Sequence, residues 1–231
     1  MSAATIRHVG PALCLAAFPL LLLTAEALAP WHGAADSEAQ TLARAASQAG
    51  ATNLADLLSF LGILLAVPGF LVVMRLTRGR APAASLAGGA LAIAGYVAGM
   101  LQVVSDQYDV LLSPLAGSSS VSDALTSSRA WALPIVLVVF LAGMLLGPVV
   151  LGVALWRSHA APAWTGPALA ASSVAGLLSH VVDLKAVDLA GLALLALAAL
   201  AVAGRALRAG DDSGDHASAA TTRDASPLPA A

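Results

Sequence analysis

Glu26, Gln102, Asp106, His180 and Asp183 are the side chains of this chain whose types and spacing come nearest to a chemical site. Gln102 stands four residues before Asp106, and His180 three before Asp183, so each pair shares one face if the segment is helical. An imidazole beside two or three carboxylates can hold a metal ion, pass a proton or balance a cation. His180 with Glu26, Asp106 and Asp183 would just make a metal site, but no HExxH or comparable spacing accompanies them. The identity of any metal is open, and no cofactor is expected. The plainer alternative is that all five are solvated helix ends, with Lys185 or Arg129 as counterions.

Other chemistries find less to work with. Cys14 is the single cysteine, which excludes an intramolecular disulfide, a CxxC metal site and an iron–sulfur cluster. Bis-histidine haem ligation needs two buried histidines facing each other, yet His8, His32, His159 and His216 fall in loops or termini. No GxSxG elbow, Walker loop or GxGxxG following a strand is present. A net charge of −2, with no basic patch interleaved with aromatics, excludes nucleic acid as a partner.

The elements that must position the five candidates are apolar. The chain is 59% hydrophobic and 10% charged, whereas a soluble domain carries about 25% charged residues. Its first partner is therefore the lipid bilayer. Runs of about 20 residues, the length needed to cross hydrocarbon, occupy 9–29, 54–74, 82–105, 131–156, 166–182 and 186–204. They lack the period-2 alternation of barrel strands, and only helices or closed barrels satisfy their own backbone groups in lipid. The predicted fold is all-α: a polytopic bundle of six transmembrane helices within residues 1–209. Segment 31–53 carries the capping-box pattern Ser37-Glu38-Ala39-Gln40 and predicts a short surface helix, whereas 106–130 reads as irregular. The tail, 210–231, has too little apolar content to fold and is expected to be disordered.

Orientation follows from the cations, which resist translocation. With the N-terminus inside, Arg7, Arg75, Arg78, Arg80, Arg157, Arg205, Arg208 and Arg223 are cytoplasmic, leaving Arg44, Arg129 and Lys185 outside. Both termini are then cytoplasmic, and Trp31 and Trp131 mark the outer interface as Trp156 and Trp164 mark the inner one. The stretch "PLLLLTAEALAP", Pro19 to Pro30, also resembles a signal-peptide end cleaved after Ala27-Leu28-Ala29. Its apolar run exceeds the 7–15 residues of a signal core, and Pro30 directly follows the scissile bond, so a retained span is the preferred reading. Outside the tail, every acidic residue then falls on the outer side. Asp56 and Asp188 begin the second and sixth spans, where the helix dipole favours an anion, and call for no functional explanation. Glu26, Asp106 and Asp183 end spans, where the dipole opposes negative charge.

Gly95 with Gly99, and Gly143 with Gly147, are small-xxx-small faces suited to close helix packing, within the chain or in a homo-oligomer or against a membrane-protein partner. Pro68 and Pro82 are spaced as Pro148 and Pro162 are, which suggests a parallel repeat of two-helix hairpins; low-complexity helices that merely look alike are the alternative. With its Ala/Leu/Gly/Val usage, spans of similar length and short arginine-bearing loops such as "RLTRGRAPAAS", the chain resembles small six-span integral membrane proteins common in high-GC actinobacteria. That resemblance implies the architecture and carries over no functional residue. The expected function is a non-enzymatic accessory, sensory or structural component of the plasma membrane. A small transporter or ion-coupled carrier using the outer carboxylate/histidine cluster is the alternative, and a metal-dependent enzyme on the outer face is third. Little mid-span polarity beyond Tyr96 and a few serines is visible for a transport path.

Overall fold

In a computed structural model of the chain, apolar runs bounded by polar or proline-bearing turns form six long helices among the described residues. The structure describes residues 3–30, 40, 43, 47–112 and 132–224, without the side chains of 3–8, 102, 106, 109, 112, 132, 133, 180 and 209–224. The helices are α1 (Ala3–Leu28), α2 (Ala49–Thr77), α3 (Pro82–Leu112), α4 (Ala132–Ser158), α5 (Thr165–Val182) and α6 (Lys185–Asp224). No strand occurs among the described residues. Five helices contain segments long and apolar enough to cross a membrane, and the all-helical bundle expected from composition is what forms. The remaining helix, α5, has 18 residues and so rises about 27 Å, against a hydrocarbon core of about 30 Å.

Each helix packs antiparallel on its chain neighbour, and α6 returns to pack on α1. The result is a closed ring, narrowed where α2 also touches α4 and α6 across it. One end carries Arg75, Arg78, Arg80 and Arg157 in or beside the α2–α3 and α4–α5 turns; it is termed the arginine end. The opposite, acidic end carries Glu26, Asp56, Asp183 and Asp188. Trp156 and Trp164 are exposed at the arginine end, a placement suited to an interfacial belt. Trp31, Trp131 and most of the expected 31–53 surface helix lie outside the described residues.

Small residues set the helix seams. A Cβ on Gly95 would stand 2.5 Å from the carbonyl carbon of Gly143, Gly147 abuts the Ala92 backbone, and Gly99 receives the Phe140 ring. Both glycine faces therefore meet inside the chain, on the α3–α4 seam, where close backbone approach lets dispersion hold helices that gain nothing from water exclusion. Gly152 and Gly166 meet in the same way between α4 and α5. α1 belongs to the ring: Leu15 and Phe18 are buried and pack at Gly69 and Gly62 of α2.

Three boundaries differ from expectation. α2 begins at Ala49, so Asp56 lies two turns inside a helix and not at its dipole-favoured start. α3 continues past residue 105 to Leu112, so Asp106 lies within a helix and not at its end. α6 runs through Gly210 to Asp224, over a stretch whose composition predicts no fold. Elongating an existing helix avoids the nucleation cost that an isolated segment must meet, and the alanines of "HASAA" suit it. Residues 225–231 of the expected tail lie outside the description. Pro68 and Pro148 both lie inside helices, α2 and α4, but Pro82 opens α3 whereas Pro162 precedes α5 in the turn.

Candidate functional site

Helical spacing turns a set of polar groups inward at the acidic end. Asp188, Gly191, Leu192 and Leu195 follow the i, i+3, i+4, i+7 pattern of one face of α6, and Leu22 with Glu26 are one turn apart on α1. With Ser59 of α2, Tyr96 of α3, Phe140, Leu141, Met144 and Leu145 of α4, and Ser172, Ser173, Gly176 and Leu177 of α5, they wall a cavity of about 260 Å³. All six helices contribute. Gly191 permits the α5–α6 approach, since a Cβ there would stand 2.9 Å from that of Ala175.

The hydroxyls on α5 bond largely within their own helix. Ser172 Oγ donates to Leu169 O at 2.8 Å, and Ser179 Oγ to Gly176 O at 2.7 Å while standing 3.4 Å from Asp188 Oδ1. Among the described residues, the charged groups of the wall are two carboxylates, Glu26 and Asp188; the side chain of His180, one turn along α5 from Gly176 and Leu177, lies outside them.

Tyr96 of the cavity wall packs on two rings, Phe18 and Phe70, that line the filled half toward the arginine end. Phe18 and Phe70 stand 5.3 Å apart by centroid, and Tyr96 packs edgewise on both, at 5.8 Å and 5.1 Å. These separations and tilts suit attraction between ring edge and ring face. Beyond the rings, between Leu15, Val73, Leu155, Leu169 and Val202, only about 10 Å³ stays unfilled, scarcely room for one water. Further on, Thr77 Oγ1 lies 2.9 Å from both Val73 O and Ser85 Oγ, and Ser85 Oγ donates to Met74 O at 2.9 Å. Arg80 Nη1 donates to Ser158 O at 2.8 Å, capping the C-terminus of α4.

Of the five residues singled out by sequence, Glu26 lines the cavity. Asp183 does not: it is the exposed C-cap of α5, in the left-handed region at φ 53°, with its N–H donated to Ser179 O. Aspartate tolerates that conformation better than most residues. Gln102, Asp106 and His180 sit on α3 and α5, and their side chains lie outside the described residues. Among the described residues no three His, Cys, Asp or Glu side chains group as metal ligands.

Two residues set aside as dipole-favoured helix starts have further roles. Asp188 is part of the cavity wall. Asp56 is buried, and its Oδ2 accepts a short hydrogen bond from Gln107 Nε2, which also reaches Asn53 Oδ1 at 3.0 Å. That group ties α2 to α3. The Asp188-Gly191-Leu192-Leu195 spacing was the available signal for the first; nothing local marked Gln107 as partner of the second. Lys185, considered as a counterion, donates from Nζ to Ala29 O at 2.5 Å and Ala27 O at 3.3 Å, capping α1. No family model, curated relative or solved structure matches the chain, so its function is argued from this geometry alone.

Proposed function

We propose that the protein is a multi-pass plasma-membrane component that receives a small molecule from the outer face, in a sensory or accessory role without catalysis. One observation carries this reading: a cavity walled by all six helices, with Tyr96 of its wall packed on Phe18 and Phe70 of the filled half. Sidedness comes from the cations. Arg75, Arg78, Arg80 and Arg157 crowd one end, and short loops of that kind stay cytoplasmic. The cavity then faces outward, and both termini lie inside. Among the described residues of the wall, the Ser172 hydroxyl bonds back to its own helix, which does not favour a nucleophilic role.

A carrier is the second reading, favoured by Pro68 and Pro148, which give α2 and α4 places to bend. It requires a polar path to continue through the bilayer, whereas the packed half below the rings is lined almost wholly by apolar side chains, with Thr165 the exception.

Cys14 as the single cysteine makes the test simple. Ser173→Cys is placed in a Cys14→Ser background and treated with a membrane-impermeant methanethiosulfonate reagent. Reaction in intact cells but not with reagent added outside inverted vesicles, which reaches the cytoplasmic face, is expected. Reaction from both sides would favour the carrier, and reaction only from the inner side would reverse the orientation.

A further inference from the structure

We propose that the cavity opens sideways into the bilayer between α4 and α5, and that its ligand is the hydrocarbon chain of an outer-leaflet lipid entering there; this rests on the reading of the cavity as a binding site with the acidic end outside.

The opening follows from one stripe on each helix. Leu141, Leu145 and Gly152 share a face of α4, and Gly166, Ser173 and Leu177 share a face of α5, each set spread over about three turns. Toward the arginine end the stripes touch: a Cβ on Gly152 would stand 2.5 Å from Gly166 O, and one on Gly166 equally close to Gly152 O. Toward the acidic end the same stripes present Leu141, Leu145, Ser173 and Leu177, and all four line the cavity. The two helices meet near the arginines and part where the hollow begins.

Exposure shows where that parting leads. Leu141 is 43% and Leu177 42% exposed, whereas every other lining residue is buried or half-buried. The two most open wall residues thus face one another across a single helix seam, each bordering both the cavity and the outer surface of the ring. Their depth agrees. Leu141 is fifteen residues from the exposed Trp156, and Leu177 thirteen from the exposed Trp164, which puts both roughly 20 Å from that aromatic belt. Within a hydrocarbon core of about 30 Å, the opening meets acyl chains. The neighbouring α3–α4 seam differs: Phe140 stands between the cavity and a hollow of about 230 Å³ there, its ring against Gly99.

The chemistry of the rim sets the occupant. The leucine side chains at 141, 145 and 177 offer no hydrogen bond, and a water needs two to four polar partners. An empty apolar hollow forfeits dispersion contacts along its lining. A methylene chain restores them without leaving hydrocarbon, whereas a polar body would have to be stripped of water first. The volume of about 260 Å³, below the roughly 300–1,000 Å³ of pockets for drug-sized ligands, takes a segment of one chain and leaves the headgroup outside. The choice does not depend on Glu26 or Asp188, which belong to α1 and α6.

The test uses the full-length protein in phosphatidylcholine liposomes doped with a phosphatidylcholine that carries a diazirine midway along one chain. After irradiation, mass spectrometry of the peptides is expected to find adducts on Met144 and on Leu195, a cavity residue only 4% exposed, as well as on Val138, 65% exposed on the outer surface. Leu141→Trp with Leu177→Trp should remove the wall adducts and keep those on Val138, which report an intact embedded bundle. Leu141→Ala, which widens the opening at an exposed position, should raise the ratio of wall to surface adducts, and an unchanged ratio would count against the opening even if the double variant does not fold. Adducts confined to the outer surface, or wall adducts that persist in a folded double variant, would overturn the inference. If Ser173→Cys is then still labelled from outside, the cavity stands and its ligand arrives from water. Wall adducts from a free diazirine-bearing fatty alcohol, with none from the phospholipid, would overturn the lipid as occupant. Wall adducts with Ser173→Cys unreactive from both sides would support the sideways opening and remove aqueous entry. If neither adducts nor labelling appear, the cavity reading itself fails, and this inference with it.

Discussion

The half of the ring nearest the arginines and the half nearest Glu26 and Asp188 are built from the same six helices, yet one is filled and the other hollow. In the filled half Phe18, Phe70, Leu151 and Leu155 are almost wholly buried, and the hydroxyls of Thr77 and Ser85 bond to one another across the α2–α3 turn. In the hollow half Ser59, Ser172, Ser173, Gly176 and Gly191 stand among the leucines, Phe140 and Met144 of the wall, with hydroxyls such as that of Ser172 bonded back to their own helix. Backbone geometry does not separate the two. Side-chain volume does: small residues turned inward leave space, and the aromatic layer at Tyr96 marks where space ends. Both ends are tied alike, by Arg80 onto α4 and Lys185 onto α1, so the hollow reflects its lining and not a loose end.

Phe70→Ala should disturb this contrast most. It removes one of the three rings of the floor, should cost about 3–5 kcal/mol of stability and should join the two halves, making Ser173→Cys reactive from both membrane sides. Thermal unfolding in detergent and the labelling assay read these separately; a floor that still blocks would mean Phe18 and Tyr96 suffice. Gly143→Leu comes next, because its side chain would be driven into the Gly95 backbone. Overpacking there should lower stability by about 1–3 kcal/mol, with little change in Ser173→Cys labelling, and a wild-type melting temperature would show that the α3–α4 seam yields. Thr77→Val, in the filled half, breaks the hydroxyl pair with Ser85 and should cost about 1 kcal/mol, measured by the shift of the denaturant midpoint. Ser172→Ala, in the hollow half, should cost under about 0.5 kcal/mol, because its hydroxyl serves only its own helix. Equal losses from the last two would erase the distinction between interhelical and local hydroxyls.

The candidate site was only partly legible beforehand. Glu26 stood out because a carboxylate at a helix C-terminus works against the dipole, and it does line the cavity. The same reasoning selected Asp183, which ends α5 in a left-handed turn and is not among the lining residues. It also dismissed Asp188, whose favourable place at the start of α6 coexists with a position on the cavity wall. A dipole argument reports on the energy of a charge along its own helix and carries no information about the neighbouring helix it faces. Gln107 shows the same gap: its bond to Asp56 spans 51 residues of sequence.

Composition and the spacing of apolar runs by themselves determined that the chain is an all-helical bundle with helices of membrane-crossing length, because hydrocarbon thickness and backbone hydrogen bonding act on each segment separately. Which face of each helix turns inward was decided only by the tertiary structure. A soluble helix advertises its buried side by contrast with a polar one; here Ile135, Val138 and Leu197 on the outer surface are as oily as Leu151 and Leu195 within. Lipid and protein interior make nearly the same demand on a side chain, so the closing of α6 on α1, the meeting of Gly95 with Gly143 and the hollow beside Glu26 and Asp188 emerge only when six helices are packed together.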